Sequence, residues 1–205
     1  LAGNPPTVSN YMEHRTRIDN WILEGKKILF VAHSQGNLFA NSAYAYANTK
    51  AAAGSVKVGP YGVYADVQAD RKHHGGLDKA LYAYAQEDAE FWSQQLGREL
   101  PPGFFGENLR TSGLDVNAAR IGEIWQIGER VQVQVTMPRT PCQTFARWVG
   151  GEDERGWVKR FSSERRLGPY LRVLTSGRIQ PGDHITVIPA PEGAPGLLDH
   201  YRDPS

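Results

Sequence analysis

The side chains best suited to chemistry fall in a few short segments of this 205-residue chain. The segment Pro138-Arg139-Thr140-Pro141-Cys142 places the single cysteine three residues after an arginine, in a turn stiffened by two prolines. A guanidinium held beside a thiol favours the thiolate, and a thiolate is a suitable soft ligand for a transition metal. This turn predicts a metal-binding cysteine, although a lone cysteine is more often a small buried hydrophobe.

Two further segments offer imidazole, carboxylate and amide groups. Residues Arg71-Lys72-His73-His74-Gly75-Gly76 place two histidines next to paired glycines, and therefore on a tight turn that a ligand can approach closely. Residues Gly106-Glu107-Asn108 add a carboxylate and an amide, and Lys79 and Arg139 add basic groups for an anion. Together they predict a basic pocket around one cysteine, although each segment alone is also typical of a solvated surface turn.

Ser34 is a fourth candidate, because Ala32-His33-Ser34-Gln35-Gly36 follows a short apolar run and precedes a helix-like run. This order resembles the nucleophile elbow of α/β-hydrolases, with Ala32 in place of the leading glycine. A hydrolase also needs an acid and a histidine positioned by further parallel strands, and the sequence shows no such context. A serine without a base is a poor nucleophile, so a serine esterase that uses Ser34 stands as the alternative function.

The elements that must position these groups are mostly short strands. Val131, Val133 and Val135 alternate with polar residues, which predicts a strand with one wet face. Further predicted strands are 27–32, 56–58, 63–67, 171–174 and a segment around Ile185 and Val187, and predicted helices are 11–24, 37–47, 87–96, 143–149 and 155–162. Many strands with a few helices between them predict an α+β, mainly β fold of barrel type with peripheral helices.

The composition excludes several broad classes. A formal net charge of +1 is too small to suggest a nucleic-acid partner, and no apolar run is long enough to cross a bilayer. No charged leader followed by an apolar segment is present, and the single cysteine allows no internal disulfide. We therefore expect a cytoplasmic protein that acts on a small molecule, away from membranes.

Three ordered motifs resemble those of the MOSC domain family, and especially its small bacterial members of the YiiM type. The motifs are residues 69–76 with Asp78-Lys79-Ala80, then Phe105-Gly106-Glu107-Asn108-Leu109, then Pro138-Arg139-Thr140-Pro141-Cys142. The likeness extends over residues 49 to about 190. It implies a β-barrel around a site for the molybdenum cofactor, a molybdopterin, and reduction of N-hydroxylated substrates, for which a separate electron-transfer partner protein is a candidate.

By the same resemblance Cys142 would ligate molybdenum and act in catalysis together with Glu107. His74, Lys79, Asn108, Arg139 and Arg71 would bind or brace the cofactor. The N-terminal part departs from the family, because residues 1–48 resemble a helix-strand-helix fragment of an α/β-hydrolase and take the place of the family's first strand. We expect strand 27–32 to fill that position, a MOSC domain over 49–190, and a C-terminal tail over 191–205.

Overall fold

The computed structural model describes residues 55–63, 75–149, 156–199 and 201, and the backbone of residue 150. The predicted N-terminal attachment lies outside these ranges, with its strand 27–32, Ser34 and the domain boundary near residue 49. Arg71 and His74 of the double-histidine segment also lie outside them. The described residues therefore belong to the predicted domain 49–190 and to the segment that follows it.

Nine strands build the described part of the chain. They are β1 (Val56–Gly59), β2 (Gly62–Val63), β3 (Leu81–Ala85), β4 (Leu109–Thr111), β5 (Ile124–Ile127), β6 (Val131–Pro138), β7 (Pro169–Thr175), β8 (Gly177–Ile179) and β9 (Ile185–Ile188). Six form one sheet in the order β4-β3-β7-β6-β5-β9, and β2-β1-β8 form a smaller sheet. All pairs are antiparallel except β3 with β4.

The long strand β6 shows why the alternating sequence folds as it does. Val131, Val133 and Val135 are buried, and the glutamines between them are partly exposed, as the period of two predicts. The strand β7 pairs with β6 and continues after one residue, Ser176, into β8 of the smaller sheet. The bend between β7 and β8 curls the two sheets into a half-barrel, which confirms the predicted mainly β fold class.

Three α-helices lie among these strands: α1 (Gln86–Leu96), α2 (Gln143–Gly150) and α3 (Trp157–Ser163). The sequence predicted all three, with ends that differ by one or two residues. The first turn of α1 contains Glu87 and Asp88, whose charges suit a helix N-terminus, and Gly97 caps its C-terminus in the left-handed conformation. Within the described ranges no helix is long and apolar enough to cross a membrane.

The strand β3 lies between two hydrophobic cores, and every one of its residues is buried. Leu81, Ala83 and Ala85 face an aliphatic core inside the curled sheet, whereas Tyr82 and Tyr84 face an aromatic core under the helices. Since successive side chains of a strand point to opposite faces, this one strand divides the two cores. It also places the Tyr82 ring at the end of the sheet where the candidate residues gather.

Residues 191–199, which the sequence places in a C-terminal tail, pack back onto the domain. The Leu197 side chain is buried in the aliphatic core, and the Leu197 N–H donates to the Ala119 carbonyl over 2.7 Å. The Ile121 N–H donates to the Pro195 carbonyl over 2.9 Å. The glycines and prolines of this segment therefore form turns that return the chain to the core.

Candidate functional site

The ends of three neighbouring strands, β3, β7 and β6, lie side by side at one end of the large sheet. The register places Tyr82 of β3 opposite Tyr170 of β7, and Tyr170 opposite Met137 of β6. The Tyr82 and Tyr170 rings lie 5.5 Å apart between centroids. Thr136 lies at a register shift, and its hydroxyl donates to the Asp78 carbonyl over 2.6 Å and lies 3.0 Å from the Tyr170 carbonyl.

Arg139 follows directly after β6 and is a buried cation, only 6% exposed. Its guanidinium lies 4.8 Å from the Tyr82 ring centroid and 4.6 Å from that of Phe145, so the cation is stacked between two aromatic faces. The guanidinium also donates a hydrogen bond to the Phe105 carbonyl. The Arg139 N–H donates to the Gly168 carbonyl over 3.0 Å, which fixes the backbone as well as the side chain.

The sulfur of Cys142 lies within electrostatic range of Arg139 and Tyr170. Burial alone would lower the pKa of the Arg139 guanidinium, but Tyr82, Tyr170 and Cys142 act against burial and raise that pKa. Burial raises the pKa of the Tyr170 hydroxyl, and Cys142 raises it further, whereas Arg139 opposes the rise. Arg139 therefore places a permanent positive charge near both Tyr170 and Cys142.

Cys142 is partly exposed and lies at the margin of the aromatic core. It immediately precedes α2, and the Ala146 N–H donates to its carbonyl over 3.0 Å, so Cys142 occupies the cap position of that helix. The positive end of a helix favours negative charge at this position. Cys142 is therefore partly accessible to solvent at the N-terminal end of α2.

Glu107 is buried, 3% exposed, and its carboxylate is fully engaged by neighbours. It accepts hydrogen bonds from the backbone N–H of Gly103 over 2.8 Å and of Phe105 over 3.0 Å. The Arg110 guanidinium adds an ion pair, with Nε 2.7 Å from the carboxylate. The carboxylate thus holds the loop whose Phe105 carbonyl accepts the Arg139 hydrogen bond.

Asn108 contacts Tyr82, and Lys79 contacts Tyr170. The Asn108 side-chain oxygen accepts the Tyr82 N–H over 2.9 Å, and the Asn108 N–H donates to the Tyr82 carbonyl over 2.9 Å. The Lys79 ammonium lies 5.6 Å from the centroid of the Tyr170 ring. Asn108 therefore anchors β3, while Lys79 brings a second positive charge to the edge where Cys142 lies.

The structure brings together Cys142, Arg139 and Lys79 of the residues selected from the sequence, and it places Glu107 and Asn108 behind them. Sequence reasoning gave no role to Tyr82 and Phe145, the aromatic residues that hold the arginine, or to Tyr170, whose ring packs against Tyr82. Tyr82 stands two residues after the first motif, at Ala80-Leu81-Tyr82, whereas Tyr170 lies outside all three motifs. The position of Tyr82 was the available signal, but nothing in one sequence pairs it with Tyr170 across strands.

The buried tyrosines predict an alkaline limit to stability. Burial raises the pKa of the Tyr82 hydroxyl, although Arg139 opposes the rise, and burial raises that of Tyr84 well above its ordinary value. The unfolded chain loses these protons near pH 10, whereas the folded protein retains them. Each tyrosine therefore removes about 1.4 kcal/mol of unfolding free energy per pH unit above pH 10.

Urea denaturation between pH 9 and 11.5 measures this loss. The contribution is fully present below pH 10 and declines as the pH rises toward the folded-state pKa. Tyr84→Phe should make the decline shallower, whereas replacement of the 55% exposed Tyr61 by Phe should leave it unchanged. A tyrosinate absorbance titration in which Tyr82 and Tyr84 of the folded protein ionise near pH 10 would contradict the prediction.

Comparison with known proteins agrees with this arrangement. Residues 70–186 match the family model of the MOSC domain. The chain is 38% identical over 123 residues to the uncharacterized protein YflK of Bacillus subtilis, covering 60% of this chain and 54% of that protein. It is 30% identical over 139 residues to a reductase of Gibberella moniliformis, covering 63% of this chain and 23% of that protein.

The crystal structure of YiiM from Geobacillus stearothermophilus shares the fold. The two superpose with a TM-score of 0.58 at 31% sequence identity, covering 71% of this chain and 66% of that chain. The chain spans about half of YflK and about a quarter of the fungal reductase. Since the family model matches more than half of the 205 residues and contains all of the described site, this chain belongs to the MOSC domain family.

Proposed function

We propose that this MOSC domain binds the molybdenum cofactor through Cys142 and reduces N-hydroxylated small molecules. The observation that carries the proposal is the partly exposed thiol of Cys142 beside the buried guanidinium of Arg139. An exposed sulfur next to a fixed cation is the environment that favours a reactive or metal-binding thiolate.

The donor set fits such a cofactor. Cys142 is the single cysteine of the chain and would supply one soft ligand. Among the described residues no three His, Cys, Asp or Glu side chains form a group that could hold a bare metal ion. A cofactor that brings its own sulfur ligands needs only one from the protein, so a single thiol suits it.

A buried arginine and a more accessible lysine would together attract the anionic cofactor. The Arg139 guanidinium is buried and already donates to the Phe105 carbonyl, so it would act on a bound anion by electrostatic attraction rather than by direct contact. Lys79 lies at the margin and would meet the cofactor phosphate directly. Arg71 and His74 are proposed to add to this rim, on the strength of the family motif.

Glu107 is proposed as a positioning residue rather than a proton donor. Both of its oxygens accept hydrogen bonds from the 103–107 loop or from Arg110. Asn108 has a similar role, because it fixes the backbone of Tyr82. These two residues keep the stacked arginine in place while Cys142 makes the contact with the metal.

The proposed reaction converts an N–OH group to N–H and water, with two electrons and two protons. The bound cofactor would supply the redox chemistry, and the electrons would come from a separate donor protein. The relative named a reductase supports this class of reaction. The protein's part is to hold the thiolate, to bind the anionic cofactor, and to admit a small substrate at the open edge of the sheet.

Molybdenum content tests the proposal most directly. The chain purified from a cofactor-producing host should carry molybdenum, and Cys142→Ser should lower the content about tenfold or more, because the metal loses its protein ligand. Molybdenum is measured by mass spectrometry, and reduction of a hydroxylaminopurine with a chemical electron donor is assayed in parallel.

The control is Arg172→Ala, which removes an exposed ion pair with Asp78 and leaves Cys142 intact. It should keep the wild-type molybdenum content. Equal molybdenum in the wild type and in Cys142→Ser would overturn the proposal, as would none in either when another molybdenum enzyme from the same cells is loaded. Ester hydrolysis abolished by Ser34→Ala would favour the serine esterase instead, which no observation on the described residues supports.

A further inference from the structure

The strand β9 forms one edge of the large sheet, and its outer side has no partner strand among the described residues. On its inner side it pairs with β5 in a regular antiparallel register, with Ile124 opposite Ile188. Val187 and Ile188 are apolar, yet their exposed fractions are 37% and 42%. The sheet therefore ends at a mostly apolar strand that the described residues cover only in part.

The register shows which backbone groups of β9 are open at this edge. The Gly128 N–H donates to the His184 carbonyl over 2.9 Å, one residue before β9 begins. In an antiparallel pair, hydrogen-bonded residues alternate with residues whose N–H and C=O point away from the partner strand. The backbone groups of Ile185 and Val187 therefore point away from β5, whereas the other two residues of β9 bond it.

This edge lacks the features by which proteins usually prevent the addition of another strand. Such features are a charged side chain, a proline or a bulge within the edge strand. The strand β4 at the opposite edge is three residues long and contains Arg110, which forms an ion pair with Glu107. The sequence of β9 is Ile-Thr-Val-Ile, without charge or proline, and its register against β5 is unbroken. The strand is therefore suited to accept a further strand.

An edge of this kind fits either a second copy of the chain or a segment of the same chain. A four-residue strand that pairs with its own copy buries by itself far less than the roughly 1,200 Å² of a stable interface. A segment of the same chain pairs without the entropy cost of association. Outside the described ranges the chain contains one run of four consecutive large apolar residues, Ile28-Leu29-Phe30-Val31, which matches the length of β9.

The connection between this run and the described domain is long enough for such pairing. Residues 32–54 separate the run from Ser55, the first described residue, and a chain of that length reaches about 75 Å when extended. A folded chain of 205 residues has a radius of gyration of about 17 Å. The run can therefore reach β9 from any point at which the connection leaves the domain.

We propose that residues 28–31 add to the outer edge of β9 as a further strand. This strand covers the side chains of Val187 and Ile188 and pairs with the open backbone groups of Ile185 and Val187. The proposal gives the expected strand 27–32 a position in the sheet. It goes beyond the proposed function, because it involves neither Cys142 nor a cofactor.

Amide hydrogen exchange in the full chain, followed residue by residue by NMR, tests the proposal. The amides of Ile185 and Val187 are the outward amides of β9, and those of Thr186 and Ile188, which bond β5, are the inward amides. A bare edge would show slow exchange at the inward amides and fast exchange at the outward ones. With the added strand, the outward amides should exchange at least about tenfold more slowly than unpaired amides.

The variant that removes the added strand is Leu29→Pro combined with Phe30→Pro. Alternate residues of a strand bond the same neighbour, so one of these two residues must donate to β9, and proline has no N–H to donate. The outward amides should then exchange at least about tenfold faster. The inward amides should stay slow, which shows that the sheet remains folded.

The matched control is Ala51→Pro combined with Ala52→Pro, in the connection to the domain, and it should change neither set of amides. If the double variant at 29 and 30 also loses its inward amides, the two single variants decide. One of them should speed up the outward amides and the other should not, because only one of the two residues donates to β9.

Three results would overturn the proposal. Fast outward amides in the wild type would show that the edge is bare. Outward amides that stay slow in the Leu29→Pro, Phe30→Pro variant, or in both single variants, would show that another segment covers the edge. A dimer in analytical ultracentrifugation that disappears on Val187→Lys would assign the edge to a second copy of the chain.

Discussion

Glu107→Ala is expected to lower the free energy of unfolding by about 3–5 kcal/mol, the usual cost of leaving a buried charge without its partner. The Arg110 side chain is only 12% exposed and would lose its carboxylate. The N–H groups of Gly103 and Phe105 would lose their acceptor at the same time. Urea denaturation at pH 7 measures the change.

The matched comparison is the ion pair of Arg172 with Asp78, whose side chains are 46% and 47% exposed. Asp78→Ala should cost about 1 kcal/mol or less, because water and salt screen an exposed pair. Glu107→Gln should fall between the two, since it keeps the shape but brings an amide group toward backbone donors. Equal losses of unfolding free energy for Glu107→Ala and Asp78→Ala would show that Glu107 does not hold the 103–107 loop in place.

The Glu107 variant also tests how the site depends on that loop. The Phe105 carbonyl accepts the Arg139 hydrogen bond, so a released loop would free one side of the guanidinium. Stability and positioning are coupled here, since one carboxylate orders the backbone that orders the cation. Glu107 therefore affects the position of the Arg139 guanidinium without contacting it.

The sequence predicted secondary structure best for elements that have one solvent-exposed face. The strand β6 was found from the alternation of valine with polar residues, and it extends two residues further, to Pro138. The helix α1 was found from its apolar face, within one residue of its true start. These patterns are local, so a single chain displays them.

The sequence did not predict the strand that is buried on both faces. The strand β3 contacts an aliphatic core on one side and an aromatic core on the other, so its residues show no polar alternation. The short strands β4 and β5 were missed too, and the predicted strand 63–67 is described only at Val63, within β2. Pairing with segments far away in sequence decides β3, and one sequence does not reveal it. The strand β5 is different, because it pairs with the neighbouring β6 and its buried residues alternate.

The site was predictable to the level of its charged and sulfur groups. The motif spacing selected Cys142, Arg139 and Lys79, which lie together, but it could not distinguish a cofactor contact from a brace. Glu107 illustrates the limit, because its burial depends on Arg110 and on a loop that closes over it. The stacked rings of Tyr82 and Phe145 come from separate elements, and only the tertiary fold brings them to the arginine.

Gly168→Ala is expected to destabilise the protein by about 3–5 kcal/mol, the sum of a left-handed backbone penalty and overpacking. Gly168 has a φ of +69°, and a Cβ there would lie 2.3 Å from the Ala83 carbonyl oxygen. That oxygen belongs to the central strand β3, and the rings of Tyr82 and Tyr84 lie 3.1 Å away on either side. Neither backbone nor rings can withdraw without disturbing both cores.

Gly97→Ala is the matched control, because Gly97 has a similar φ of +64° but no atom within 4 Å of the added Cβ. It should cost only the backbone penalty, about 1–2 kcal/mol. If both variants lose the same stability, the close approach of Gly168 to β3 does not constrain the fold.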